Sequence, residues 1–567
     1  MRTAAAHVLV CASLLALLPR PASAAWPTSP LVNVPLCTAS GEQYFPTIVS
    51  DGASGAIVTW SDARSGTADI YAQHVSGSGV PLWGANGVAL CTATGDQSNP
   101  TIVSDGAGGA IVTWNDFRGT KYDIYTQRIS SGGVVQWTTD GVAVCTAGGH
   151  QQYPTITSDG AGGAIIAWMG LFGGNYDVYA QRVSGAGAPQ WTANGVALCT
   201  AAGHQENPTL IPDGAGGAIV TWLDQRTGGD YTFSDIYAQR VSSTGTPQWT
   251  ANGVALCTAT GPQQYPVIAP DGLGGAIITW FDDRAGNYDI YAQRISGAGN
   301  VQWTADGVAL CTAAGEQAVF SIIPDGAGGA ITAWRDYRGG SDYDIYCQRV
   351  SQSGSPLWTG NGVALCTATG DQYDPALVAD GAGGAIVTWP DLRGGIELDI
   401  YAQRISAGGV TAWTGNGVAL STAAGQQNVT TIVSDGAGGA IVTWRDKRSG
   451  VDFDIYAQRV QANGQLGGDV VSVPADGPLA FALEPVGPNP ARGGALTVRF
   501  ALPSGAAASL ELLDVSGRRV ASREVGSLGA GSHTLALGEG LQLSPGLYLV
   551  SLRQGANRRT SRVAVVE

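Results

Sequence analysis

One segment recurs eight times between Leu31 and Val473, and nothing else in the chain constrains its fold as strongly. A tryptophan marks each copy: Trp60, Trp114, Trp168, Trp222, Trp280, Trp334, Trp389 and Trp444. Their successive positions differ by 54, 54, 54, 58, 54, 55 and 55. A fixed period of this length identifies one supersecondary unit, copied because a single unit cannot bury its own apolar face. At 567 residues the chain is too long for one ordinary core, and the repeat takes the place of that core.

Gly87 to Asp140 serves as the type unit. Pro100–Ser104 reads as a short strand, and Asp105-Gly-Ala-Gly-Gly109 as a hairpin turn whose glycines supply positive φ. Ala110–Trp114 is β-branched and apolar on both faces, as a buried strand requires. After a loop, Asp123–Ile129 alternates like a half-exposed third strand; a Gly-rich connection carrying Trp137 leads to a fourth, Val142–Thr146. No stretch has helical periodicity. Four short antiparallel strands in about 54 residues make a propeller blade, so the expected fold is all-β, an eight-bladed β-propeller. Leu31–Thr38 matches a fourth strand yet precedes the first complete set. It is expected to complete blade eight and close the ring, removing an exposed edge. Asp469–Val473 competes for that place, and an open array of the same blades is the alternative architecture.

The repeated polar residues are numerous. Trp-x-Asp-x-Arg recurs as Asp62/Arg64, Asp116/Arg118, Asp224/Arg226, Asp282/Arg284, Asp336/Arg338, Asp391/Arg393 and Asp446/Arg448, while blade three has Gly170 and Phe172. Asp-Ile/Val-Tyr and a Gln after Gly-x (Gln43, Gln97, Gln151, Gln205, Gln263, Gln317, Gln372, Gln427) complete the pattern. Such carboxylates suit general acid/base work, or they tie loops together through charge-assisted hydrogen bonds. Equivalent catalytic sites repeated around an axis would be without purpose, so the structural role is expected, with no catalytic residue. The eight tryptophans are expected in the core.

No metal or cofactor is expected either. A calcium site needs six or more oxygens, but each Asp-Gly-x-Gly-Gly loop has one Asp; blade five, with Asp282, Asp283 and Asp289, is richest in acid. His74, His150, His204 and His533 lack zinc-ligand spacing with Cys. Cys37, Cys91, Cys145, Cys199, Cys257, Cys311 and Cys366 occupy one repeat position, replaced by Ser421 in the last copy. Copies on adjacent blades lie beyond the roughly 7 Å Cα reach of a disulfide, which predicts buried free thiols. Cys347 falls on strand three, before Cys366 on strand four of the same blade, a pair that remains open to bonding.

Charge narrows the partners. The net charge is −15 and the only lysines are Lys121 and Lys447, which excludes nucleic acid and an anionic membrane surface. Arg2 followed by the mainly apolar run His7–Leu18 and Ala22-Ser-Ala24 reads as a signal peptide over 1–24, cleaved between Ala24 and Ala25. The run is too short to span a bilayer, which takes about 20 apolar residues. The domain plan is therefore 1–24 signal peptide, 25–473 propeller, 474–482 linker and 483–567 a second domain.

Residues 483–567 contain period-2 strands between Gly turns, which predict a small Ig-like β-sandwich. Pro-Asn-Pro (488–490), Leu-x-Asp-x-x-Gly-Arg from Leu512 to Arg518, and Gly-Leu-Tyr (546–548) resemble type IX secretion C-terminal sorting domains and the related FlgD-like Ig module. The resemblance implies recognition by the secretion machinery and a secreted, extracellular or outer-membrane surface location. The repeats, with Asp-Gly-x-Gly-Gly-Ala-Ile-Val-x-Trp and Asp-Ile-Tyr-Ala-Gln-Arg, resemble bacterial secreted propeller-type repeats, a resemblance that implies no chemistry.

The function expected from these features is a monomeric, non-enzymatic propeller scaffold that binds a glycan or protein ligand. Ligands are expected on the face formed by the strand two-to-three loops and the connections into the next blade. Phe117, Tyr122, Phe172, Tyr231, Phe233 and Tyr337 on those loops are candidate sugar platforms. The alternative is a glycoside hydrolase or lyase on extracellular polysaccharide, drawing two carboxylates from Asp230, Asp283 and Glu397.

Overall fold

The computed structural model describes residues 26–228, 231–468, 481–483, 491–492, 496–502, 508–525, 531–537, 543–555 and 557–566. The expected cleavage at Ala24/Ala25, Asp230, the Asp469–Val473 strand, most of the 474–482 linker and Pro-Asn-Pro at 488–490 lie outside them. The chain divides into two units, 1–470 and 471–567.

The first unit contains eight four-stranded antiparallel sheets. In blade two the strands are Gln97–Ser104, Ala110–Asp116, Asp123–Ile129 and Val142–Cys145, hydrogen-bonded in that order. Strand one thus starts ahead of Pro100, because a bulge between Ser98 and Thr101 interrupts the alternation that betrays a strand. Strand two is buried along its whole length, and all eight repeat tryptophans have 0% exposure. Apolar clusters form between blades: Trp114 of blade two packs with Leu90 and Cys91, the end of blade one. No blade can bury its tryptophan alone, which is the physical content of the repeat.

First strands neighbour one another from blade to blade, and that of blade eight (Gln427–Ser434) neighbours that of blade one (Gln43–Ser50). The ring is closed. Its seam is the N-terminal strand Val34–Cys37, which pairs antiparallel with Asp454–Val460 as the fourth strand of blade eight. The closing segment also begins earlier than Leu31. In the first seven blades a second tryptophan donates its Nε1 hydrogen to a backbone carbonyl of the next blade, as Trp83 does to Ser131 at 3.0 Å and Trp413 to Ala462 at 3.0 Å. Blade eight has no such residue of its own, and Trp26 takes the place, donating to the Gly77 carbonyl at 2.9 Å. Its indole lies against Gly79, where an added Cβ would come within 2.9 Å of the ring. Trp26 is 1% exposed.

The thiols are buried and free, including Cys347 and Cys366. Cys366 lies opposite Ile345 and Cys347 opposite Val363, so the pair left open by the sequence is offset along the ladder and does not bond.

The second unit pairs a three-stranded sheet (Ala482–Leu483, Leu496–Leu502, Gly531–Leu537) with a five-stranded one. The latter runs Ala491–Arg492, Asn557–Val566, Gly546–Gln554, Ala508–Asp514, Arg519–Glu524. Leu496, Val498 and Phe500 from one sheet and Leu510, Leu512, Val550 and Val563 from the other share a single core, making a β-sandwich.

Candidate functional site

The repeated carboxylates are consumed by the fold. Asp62 is fully buried; its Oδ2 accepts Trp60 Nε1–H at 2.7 Å and Arg64 Nη2 at 2.5 Å, while its Oδ1 accepts Arg64 Nε at 2.8 Å. The Arg64 guanidinium also reaches Cys37 Sγ at 3.2 Å and the Asn86 carbonyl at 2.8 Å, and lies 3.9 Å from the Tyr71 ring centroid. Cys37 belongs to the neighbouring blade, so this clasp ties two blades together. Burial beside a carboxylate pushes the Cys37 thiol up to about 12, which leaves it protonated and unreactive. The turn carboxylates are equally committed. Asp105 Oδ1 accepts the N–H groups of Ala107 and Gly109 at 2.8 Å, and its Oδ2 accepts Arg128 Nε at 3.0 Å. Among the described residues no group of three or more His, Cys, Asp or Glu is placed to hold a metal ion.

The eightfold pattern also breaks on the inner rim of the ring. Blades four to seven border a recess of about 610 Å³ there. Tyr265 and Phe281 stack in its wall, with centroids 5.0 Å apart and planes 16° from parallel; Tyr288 meets Phe281 edge-on at 5.2 Å. Arg335 covers the Tyr343 ring at 4.9 Å and pairs with Asp374 at 3.3 Å. Glu316, Gln317 and Asn207 add polar atoms. Tyr288 and Tyr343 end two-to-three loops and Glu316 lies on the connection into blade six, so the recess is on the face where ligands are expected. Asn207 and Thr209 also border a shallower groove of about 370 Å³, which continues across blades one to three.

The described aromatic candidates from the sequence are spread over blades two, three, four and six. Phe117 and Tyr122 pair with each other at 4.9 Å, Phe172 with Tyr179 at 4.7 Å, and Tyr337 with Tyr343 at 4.9 Å, all half-buried. Phe233 is exposed at the end of the 3-10 turn Tyr231–Phe233 in the longer blade-four loop. The two described acids considered for catalysis stand on different blades. Asp283 is on blade five, and Glu397 on blade seven spends Oε2 on the Gly425 N–H at 2.8 Å. Sequence reasoning missed Tyr265, Phe281, Tyr288, Arg335, Tyr343 and Asp374. Four of them held a usable signal, because Phe281 and Arg335 follow the repeat tryptophan and Tyr265 and Asp374 stand two places after the repeat Gln, positions that vary from copy to copy.

In the second unit the motif residues shape one turn. Asp514 Oδ1 accepts the N–H of Ser516 and of Arg518, each at 3.0 Å, and Gly517 takes φ 84° to let the chain close. Hydrogen bonds from Ser516 and Arg518 hold the Asp514 carboxyl down at about 2. Tyr548 of Gly-Leu-Tyr buries its ring and donates its hydroxyl to the Ser544 carbonyl at 2.9 Å.

Residues 486–567 match the family model described as a secretion system C-terminal sorting domain. The chain therefore joins propeller-type repeats to a type IX sorting tail and is a secreted or cell-surface protein. No curated protein matches the chain. Among solved structures it is similar to a puromycin-hydrolyzing peptidase of Mycobacterium tuberculosis, at 14% identity and TM-score 0.39 over 74% of this chain and 61% of that one. It is also similar to a PL25 ulvan lyase, at 12% identity and TM-score 0.42 over 76% and 97%. An endo-arabinase of Bacteroides thetaiotaomicron aligns at 14% identity and TM-score 0.28 over 44% and 92%. Likenesses this distant carry nothing about chemistry.

Proposed function

We propose that this is an exported binding protein whose propeller takes a neutral carbohydrate in the recess of blades four to seven. The observation that carries the reading is the stacked Tyr265–Phe281 wall, facing a recess that also holds carboxylate, amide and guanidinium groups. An aromatic face packs against the C–H face of a sugar ring, and the polar groups take its hydroxyls. Charge points the same way: residues 471–567 hold nine Arg against seven Asp and Glu, a net of +2, so 1–470 carries −17. Such a field repels anionic ligands. In the same reading 1–24 is removed on export between Ala24 and Ala25, and 483–567, an Ig-type sandwich, is the part that the secretion machinery recognises.

A glycan array with the wild-type protein and with Phe281→Ala tests the binding claim. Binding that weakens at least about tenfold in the variant is expected; a protein that binds no glycan fails the reading. A second reading is an enzyme using Glu316 and Asp374, because both carboxylates border the recess. Turnover of a polysaccharide that Glu316→Gln or Asp374→Asn abolishes would establish it in place of simple binding.

A further inference from the structure

The inner rim carries a second regularity. On blades one to five, one residue at the bulge of the first strand takes the left-handed conformation: Phe45 at φ 50°, Asn99 at 52°, Tyr153 at 52°, Asn207 at 51° and Tyr265 at 48°. Blades seven and eight hold Asp374 at 36° and Val429 at 55° in the same place. Asn tolerates this region, whereas a bulky aromatic there is an outlier. Asn99 and Asn207 show that the backbone itself is served by Asn, so the aromatics at the alternate positions are not a requirement of the turn. Local strain of this kind gathers at ligand sites. All three aromatics stand out from the surface, Phe45 at 46%, Tyr153 at 50% and Tyr265 at 54% exposure. Their order along the rim from blade one to blade five is aromatic, amide, aromatic, amide, aromatic. The shallow groove bordered by Phe45, Asn99, Tyr153 and Asn207 continues into the recess at Asn207.

We propose that the ligand is an extended, uncharged polysaccharide, and that Phe45 and Tyr153 are platforms for sugar units beyond the one seated on Tyr265. This rests on the reading that the recess takes a sugar, and extends it from a single unit to a chain lying along the rim. Alternating rings and amides suit a polymer that presents an apolar face and a hydroxyl edge at each unit. The acidity of the propeller restricts that polymer to neutral glycans.

The test uses the mature full chain and neutral glucans, mannans, xylans and arabinans, each offered as disaccharide and as polymer. Phe45→Asn and Tyr153→Asn, singly and together, install the residue that blades two and four already hold at the same φ, and their melting temperatures verify the fold. The polymer is expected to bind at least about tenfold more tightly than its disaccharide. The double variant should lose that gain, keep the disaccharide affinity and melt no lower than wild type. Equal affinity for polymer and disaccharide, or a polymer affinity untouched in the double variant, overturns the inference while leaving the recess reading intact. Binding of neither form, or of a peptide library instead, removes the reading and the inference together.

Discussion

Blades three and eight depart from the other six in opposite ways, and together they show what a blade requires. Blade three keeps its chain and changes the chemistry: Gly170 and Phe172 replace the clasp. Trp168 Nε1 then donates to Gln151 Oε1 at 2.9 Å, and Phe172 lies 4.7 Å from Tyr179 where other blades place an arginine. The equivalent Gln oxygens of the other seven blades, such as Gln97 Oε1, are buried with no hydrogen-bond partner. Gly170 permits the exchange, since a Cβ there would meet Gln151 Oε1 at 2.5 Å. Blade eight keeps the clasp and changes the chain. Its fourth strand comes from the N-terminus, and Arg448 Nη2 bonds to Asn33 Oδ1 at 2.7 Å in place of a backbone carbonyl. What each blade needs is an acceptor for one indole N–H, a flat cation or ring over one tyrosine, and a fourth strand. Which residues supply them is open to exchange.

The largest expected effect is at the seam. Removing residues 26–38 takes away the fourth strand of blade eight and the Trp26 contact, and should abolish cooperative melting and produce aggregates in size-exclusion chromatography. Trp26→Ala alone is expected to cost about 3–5 kcal/mol in denaturant titrations. A truncated chain that melts like wild type would show that another segment can fill the place.

Next comes the clasp. Asp116→Ala strands the Trp114 indole and the Arg118 guanidinium together and should cost about 3 kcal/mol. In blade three, Gly170→Asp with Phe172→Arg is expected to do better than the two single changes combined, with a favourable coupling of about 1 kcal/mol or more in a double-mutant cycle. Additive losses would mean that blade three has repacked beyond the reach of a transplant. A smaller difference separates two glutamines: Gln151→Leu should cost about 1 kcal/mol more than Gln97→Leu, because only Gln151 Oε1 has a donor to lose.

The smallest effect is in pH. Burial raises the strand-three carboxyls Asp177, Asp235, Asp289, Asp344, Asp399 and Asp454 to about 6. In blade three burial acts alone, whereas in blades four, five, six, seven and eight the clasp arginine offsets part of it. An Asp that holds its proton more tightly folded than unfolded stabilises the fold most below about pH 4, and loses that contribution as pH rises through about 6. At the turn carboxyls Asp51 and Asp380 burial is outweighed by hydrogen bonds, including those from the facing His74 and Arg404, so their values are lowered; they act oppositely and only below about pH 4. The melting temperature should therefore fall between about pH 5 and about pH 7.5. A rise over that interval would rule out control by the strand-three carboxyls.

The sequence by itself determined the blade and the number of blades, because a fixed period with a buried tryptophan is written in every copy. It also determined the structural use of the repeated Asp and Arg, whose recurrence around the ring is incompatible with a unique site, and the sorting tail, whose turn is set by neighbouring residues alone. The strap Leu31–Thr38 was legible as a strand out of place, but Trp26 was not: it stands farther ahead of Cys37 than Trp83 does of Cys91, off the beat of the repeat. Only the tertiary structure decided the recess and the rim. Asn207 comes from blade four, Tyr265 and Phe281 from blade five, Tyr343 from blade six and Asp374 from blade seven, so the lining is gathered from four successive copies. Local periodicity reports what each residue buries against its own blade, whereas a site at the centre of a ring is assembled by closure, which brings one position from each copy to a common axis.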